Sequence, residues 1–340
     1  MFEVTFLTAP APPPHSPPSL LELLMHNRFL LVAAVAFLTT SLSAQQVQFS
    51  TALDEPNNVM QWTVNTSLGS VNLNPTTFRI GGSVELKLDS ATAPFSTGSL
   101  NGALAFTNPA TLNGTIPNPL PFLPPLATFK INDMQFHLAA PPFSIDPAGN
   151  FTAIVVLTST AGSNTMGGLF GSGTEPIAGL ESLPTAVAGH VTESGSVINF
   201  HLALNIIVSM IDPSTGISID ISLVGPLDSY TDVADANSLH LDMPMPALGG
   251  TQINLAYTNA TPNSTLFLAG SLVGLGSFSV PQLGVTLNLA APLQAGIDQA
   301  SNNGSGMFQV SVPTRIAGRS IWAQALQSGR TSNVASTWVL

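Results

Sequence analysis

The chain has 340 residues, 44% of them hydrophobic and only 7% charged, with a formal net charge of −11. It holds too much Val, Ile, Leu and Phe for a disordered chain, no uninterrupted apolar run of roughly 18 residues to span a bilayer as a helix, and no cluster of Lys and Arg to bind nucleic acid. The absence of cysteine excludes a disulfide framework, a thiolate metal site and a Cys nucleophile.

Residues 1–24 are Pro-rich and match no structural element. Met25-His26-Asn27-Arg28 then opens an apolar run from Phe29 to Leu38 that closes on Ser41-Leu42-Ser43-Ala44. A short basic segment, about ten apolar residues and a small-residue cleavage site are the three parts of a secretory signal peptide. The expectation is a true start at Met25, cleavage after Ala44 and a mature chain from Gln45. Ten apolar residues are too few for a transmembrane anchor. The expected location is secreted, periplasmic or cell-surface.

From Gln45 the hydrophobic pattern has period two. Val84, Leu86 and Leu88 alternate with Ser83, Glu85, Lys87 and Asp89. Phe200, Leu202, Leu204, Ile206 and Val208 alternate with His201, Ala203 and Asn205, and Ile217 to Leu223 repeat the pattern. Each predicts a strand with one buried and one wet face. Gly, Pro, Asn and Asp clusters separate them, as turns require. No long helical stripe occurs, so the expected fold is all-β and antiparallel, with a barrel and a sandwich both open for residues 45–242.

Short repeats support a sheet built from hairpins. Thr77-Phe78-Arg79-Ile80 recurs as Thr128-Phe129-Lys130-Ile131, and Pro94-Phe95-Ser96 as Pro142-Phe143-Ser144. Ile145-Asp146-Pro147-Ala148-Gly149 matches Ile211-Asp212-Pro213-Ser214-Thr215-Gly216, each followed at once by a strand. A single hairpin cannot bury its own apolar face, so several must pack together.

Between these strands the polar chemistry is sparse. His137, His190, His201 and His240 form no metal-binding motif, and His137 and His201 can meet only if their strands are neighbours. Glu85, Asp89, Asp133, Glu175, Glu181 and Glu193 are scattered, and nothing selects a pair for glycoside hydrolysis. Met166 to Gly173 is Gly-rich but lacks the Lys and the following helix of a phosphate loop; it reads as a hairpin loop. No G-x-S-x-G elbow occurs. Trp62, Trp322 and Trp338 read as core packing before sugar platforms. The apolar loop 116–126 should cap a barrel mouth or meet a partner. Asp228, Asp232 and Asp235, in an acidic segment running to Asn237, are the one candidate metal set. Ca²⁺ takes six to eight oxygens, but the spacing is not that of an EF-hand, and a solvated linker is the plainer reading.

A Pro-rich stretch, 243–250, is expected to link the large domain to a small C-terminal β-sandwich, residues 251–340. Strands are predicted at Thr251–Tyr257, Thr265–Val273, Val285–Leu289, Met307–Val312, Ile321–Leu326 and Val334–Val339. Leu268-Ala269-Gly270-Ser271-Leu272, Leu287-Asn288-Leu289-Ala290, Phe308-Gln309-Val310-Ser311-Val312-Pro313, Trp322-Ala323-Gln324-Ala325 and Ser332-Asn333-Val334 occur in that order. This segment, 265–340, resembles the C-terminal β-domain of secreted proteins of planctomycete-type bacteria, though without a cysteine. The resemblance implies an exported, surface-associated or periplasmic protein and no activity. The expected function is therefore a non-enzymatic binding or structural module of the envelope or matrix, with a surface or matrix component as partner. The alternatives are a binder of an apolar ligand inside a barrel and an enzyme acting on polysaccharide.

Overall fold

The computed structural model describes residues 46–120, 122–169, 172–211 and 216–340. The expected signal peptide, 25–44, lies outside them. Strands β1 (Val47–Leu53), β2 (Val59–Thr66), β3 (Gly69–Ser70), β4 (Asn72–Asn74), β5 (Thr77–Leu88), β6 (Thr97–Asn108), β7 (Thr111–Ile116), β8 (Ala127–Ser144), β9 (Asn150–Gly168), β10 (Gly173–Pro176), β11 (Thr185–Ser194), β12 (Val197–Ile211) and β13 (Ser218–Asp232) form one 13-stranded antiparallel sheet.

This sheet closes on itself, because β9 pairs with both β8 and β11. It is a barrel. Several strands act as halves of one long stave. β1 and β2 lie end to end between β5 and β13, and β6 and β7 lie end to end along β8. Pro75 sits at the break between β4 and β5, and Pro109 at the break between β6 and β7. Proline has no N–H to donate, so the ladder stops there. β11 pairs with β12 only over Gly189–Ser194. Further along, Ile177 and Leu180 from the β10–β11 connection pack into the barrel core.

The alternating residues face as their period requires. Phe200, Leu202, Leu204, Ile206 and Val208 are buried, whereas Ile207 is 49% exposed. The repeated tetrapeptides open β5 and β8 and place Phe78, Ile80, Phe129 and Ile131 inside, with Arg79 and Lys130 outside. In the turn between β8 and β9 the Asp146 carboxylate accepts from the Ala148 and Asn150 amides at 2.9 and 2.8 Å, and Gly149 takes φ 90°. That is the turn its Asp-Pro-x-Gly sequence calls for.

The C-terminal part contains β14 (His240–Asp242), β15 (Gln252–Thr258), β16 (Thr265–Ser271), β17 (Leu275–Val280), β18 (Val285–Leu289), β19 (Leu293–Gln299), β20 (Gly306–Ser311), β21 (Ser320–Gln327) and β22 (Arg330–Trp338). They assemble as a three-stranded sheet β14-β15-β20, a four-stranded sheet β19-β16-β21-β22 and the hairpin β17-β18. The stretch 243–250 is tied into this part. Ala247 is fully buried, its N–H donates to Trp338 O at 2.9 Å, and its carbonyl accepts from Leu340 N at 2.8 Å. β14 precedes that stretch, so the C-terminal sheets begin at His240.

Residues 45–340 are one compact unit with more than one core. The barrel interior is one core and the sandwich interior another. A third cluster joins them, with Leu104 and Ala161 from the barrel wall against Ala269, Leu287, Leu289, Trp322 and Leu326. Among the described residues, helix is confined to short 3-10 turns, and no helix is long and apolar enough to cross a membrane.

Candidate functional site: the groove at the junction

Where barrel and sandwich meet, the surface is hollowed into two basins. The first, about 430 Å³, is lined by Ser50, Ser83, Asp235, Asn288, Thr331 and Asn333 among others. The second, about 740 Å³, is lined by Asn132, Asp133, Ser163, Val273, Arg319 and others. Phe106 and Leu275 border both, so the basins adjoin along the junction, termed the junction groove. Each is within or near the 300–1,000 Å³ range of ligand sites.

The backbone is irregular where the second basin is cut. β8 changes register against β9 between Asn132 and Gln135, and Asp133 within that bulge takes φ 50°. Bulges re-aim side chains and recur beside functional sites, and a non-glycine residue in the left-handed region is uncommon. Asp133 donates its N–H to Ala110 O at 2.7 Å, which holds the bulge. Thr107 lines the same basin, is 5% exposed, and its Oγ1 has no hydrogen-bond partner. Thr107 stands opposite Ile80 of the barrel core in the β5–β6 ladder, so the cost of about 1–3 kcal/mol for its unpaired hydroxyl is borne on the inner face of the wall.

The groove is held open by contacts on either side. Ser320 Oγ donates to Thr160 O at 2.6 Å and Trp322 Nε1 to Gln135 Oε1 at 2.8 Å. Beside the first basin lies a buried ionic cluster. His240 is 3% exposed. Its Nε2 is 2.9 Å from Asp242 Oδ1 and its Nδ1 is 3.2 Å from Glu85 Oε2 on the barrel. Asn101 Nδ2 donates to Asp242 at 2.9 Å, and Ser50 Oγ to Glu85 at 2.8 Å. Burial alone would lower the pKa of His240. The hydrogen bond to Asp242 and the Glu85 carboxylate outweigh burial and raise it to about 9. His240 is therefore an imidazolium at neutral pH, clamped between carboxylates from both parts of the molecule.

The residues singled out in the sequence fall mostly elsewhere. Asp228 lies in β13 and faces His201, Oδ1 to Nδ1 2.6 Å. Asp232 caps the 3-10 turn Val233–Asp235 by accepting from Ala234 N at 2.8 Å. Asp235 lies within that turn and reaches the first basin. The acidic segment is thus the end of a strand and a turn, not a loop. Its three carboxylates do not converge, and no group of three or more metal-ligating side chains occurs among the described residues. His137 and His201 do not meet, because β8 and β12 are not neighbours. His201 instead stands directly opposite His190. His190 Nε2 lies 3.0 Å from Ala148 O.

Trp62 lies inside the barrel, with Nε1 donating to Pro75 O at 2.7 Å and edge contacts to Phe78 and Phe129. Trp322 and Trp338 are buried as well. Glu193 accepts from Ala93 N at 2.5 Å and Asp89 holds the Ser96 amide at 3.1 Å, both in turn-stabilising roles. The loop 116–126 does not bury its apolar residues over a barrel mouth, since Phe122 is 78% exposed. The barrel interior is filled by side chains. A void of about 40 Å³ between Trp62, Phe78, Leu112, Ile131 and Leu157 is far below the several hundred Å³ an enclosed ligand needs. Sequence reasoning missed Phe106, Thr107 and the His240 cluster, whose partners lie in distant strands. No protein-family model, no curated protein and no solved structure matches the chain.

Proposed function

We propose that the chain is an exported, non-enzymatic binding protein of the cell envelope or extracellular matrix, with the junction groove as its binding surface. The observation that carries this reading is the second basin, where a backbone bulge and a left-handed Asp133 border about 740 Å³ of open space. The sequence over residues 25–44 supports export. The lining supports binding without chemistry. Its titratable side chains are Asp133, Asp235 and Arg319, and the carboxylate bonded to the Ser50 hydroxyl of the lining, Glu85, is buried behind it against His240.

The test is co-sedimentation of the exported protein with envelope and matrix fractions of the producing cells. N-terminal sequencing of the exported material should begin at Gln45. The protein should pellet with one fraction, and Ser238→Trp combined with Val273→Trp, which fills both basins, should leave it in the supernatant. Retention that the filled groove does not alter would discard the reading.

A further inference from the structure

Resting on the groove as the binding surface, we propose that its ligand is an uncharged oligosaccharide chain lying across both basins, with Phe106 as the stacking platform between them. Phe106 stands opposite Gly81 in the β5–β6 ladder. A Cβ on Gly81 would lie 2.9 Å from Phe106 Cζ, so the ring lies down against the bare backbone of β5. It is half-buried and borders both basins. A ring laid against a sheet at the waist of a groove offers a flat apolar surface to a flat apolar ligand face. The C–H face of a pyranose is such a surface.

The rest of the lining favours a neutral polar ligand over an apolar or anionic one. Ser50, Ser83, Ser238, Asn288 and Thr331 in the first basin, and Asn132 and Ser163 in the second, are neutral groups. An apolar ligand would desolvate them without pairing them. A phosphate, sulfate or other polyanion needs clustered cations, and Arg319 is the single basic residue of the lining. Hydroxyls both donate and accept, so a sugar satisfies Ser, Thr and Asn in either sense. An extended peptide would bind by adding a strand to an open sheet edge. The barrel wall of the groove offers none: Phe106 is paired to Gly81 and Gln135, Asn132 to Thr111 and Ser163, and Ser163 to Asn132 and Pro176. Two joined basins further favour a chain of sugars over a single one.

The experiment is an array of uncharged and charged oligosaccharides beside a peptide array, followed by calorimetric titration of the best-retained neutral oligosaccharide. Neutral oligosaccharides should be retained, and Phe106→Ala should weaken the titrated complex about tenfold or more. Ser238→Trp and Val273→Trp, which fill one basin each, should do the same with unchanged circular dichroism; they carry the test should Phe106→Ala fold poorly. Retention of peptides or charged glycans only, sensitive to those three variants, would overturn the ligand class and leave the groove standing. Retention of nothing, or binding unmoved by all three, would overturn the groove itself.

Discussion

Leu204 and Asn205 are chain neighbours with opposite environments, the first 3% exposed and the second on the exposed face. Leu204→Ala empties a site in the barrel core and should cost about 2–5 kcal/mol. Asn205→Ala should stay within about 0.5 kcal/mol. Urea melts of the two variants measure the difference, and equal destabilisation would mean that both faces of β12 are buried. This contrast was legible in the sequence because period two reports local alternation and nothing else. Long-range side-chain partners were not legible. His240 reads as one scattered histidine until the fold brings Glu85 against it. Phe106 reads as an ordinary strand aromatic until Gly81 is found across the ladder. The tryptophans were readable as core, since a buried indole needs one acceptor and each of Trp62 and Trp322 has one.

Strands such as β12 and β13, with one buried face, declared themselves, and those without did not. β17 has the sequence LGSFSV and β19 LQAGIDQ, each with a mostly exposed pattern, and neither was expected. β14 has three residues, too few for any period. Their positions are set by tertiary pairing. β5 illustrates the opposite case, a well-signalled strand with a hidden requirement at its centre. Gly82 has φ 118° and an added Cβ would lie 1.9 Å from Leu104 O. The β5–β6 ladder shifts register just beyond, between Glu85 and Leu86. Gly82→Ala must therefore move the backbone of one strand away from the other. Backbone strain and overpacking each cost about 1–3 kcal/mol, so a loss of roughly 3 kcal/mol or more is expected. Gly195→Ala, at the β11–β12 turn with φ 64° and open space around it, should cost only about 1 kcal/mol. Thermal melts of both variants check the ranking, and a harmless Gly82→Ala would mean that the strands are not in contact there.

The closed barrel was not legible, because alternation is the same for a barrel and a sandwich and only the pairing of β8 with β9 closes the ring. Nor was the way the two parts are fastened. An apolar cluster centred on Trp322 and Leu289 joins them, and the ionic cluster of Glu85, His240 and Asp242 lies beside the groove. The fastening gives the whole molecule a definite pH response. His240 has a folded-state pKa of about 9 against 6.5 in the unfolded chain. The folded state binds its proton more tightly, so the stabilisation is complete below about pH 6.5 and is lost as pH rises through about 9. The shift corresponds to about 3 kcal/mol. Asp242 has the opposite sign. Burial would raise its pKa, but the hydrogen bond from His240, with Lys87 and Asn101 contributing, holds it below 3.8. Its share is present above that value and fades only in stronger acid. His137 lines the small pocket around the same cluster. The melting temperature should therefore stay level from about pH 5 to 6.5 and fall between about pH 7 and 9. His240→Gln keeps a donor for Asp242 but no charge, so it should melt lower at pH 7 and lose that decline. A wild-type melt that is flat across that alkaline interval, or a His240→Gln protein that declines in parallel with it, would show that His240 is neutral in the folded protein and that the junction is held by its apolar cluster and neutral hydrogen bonds without an ionic contribution.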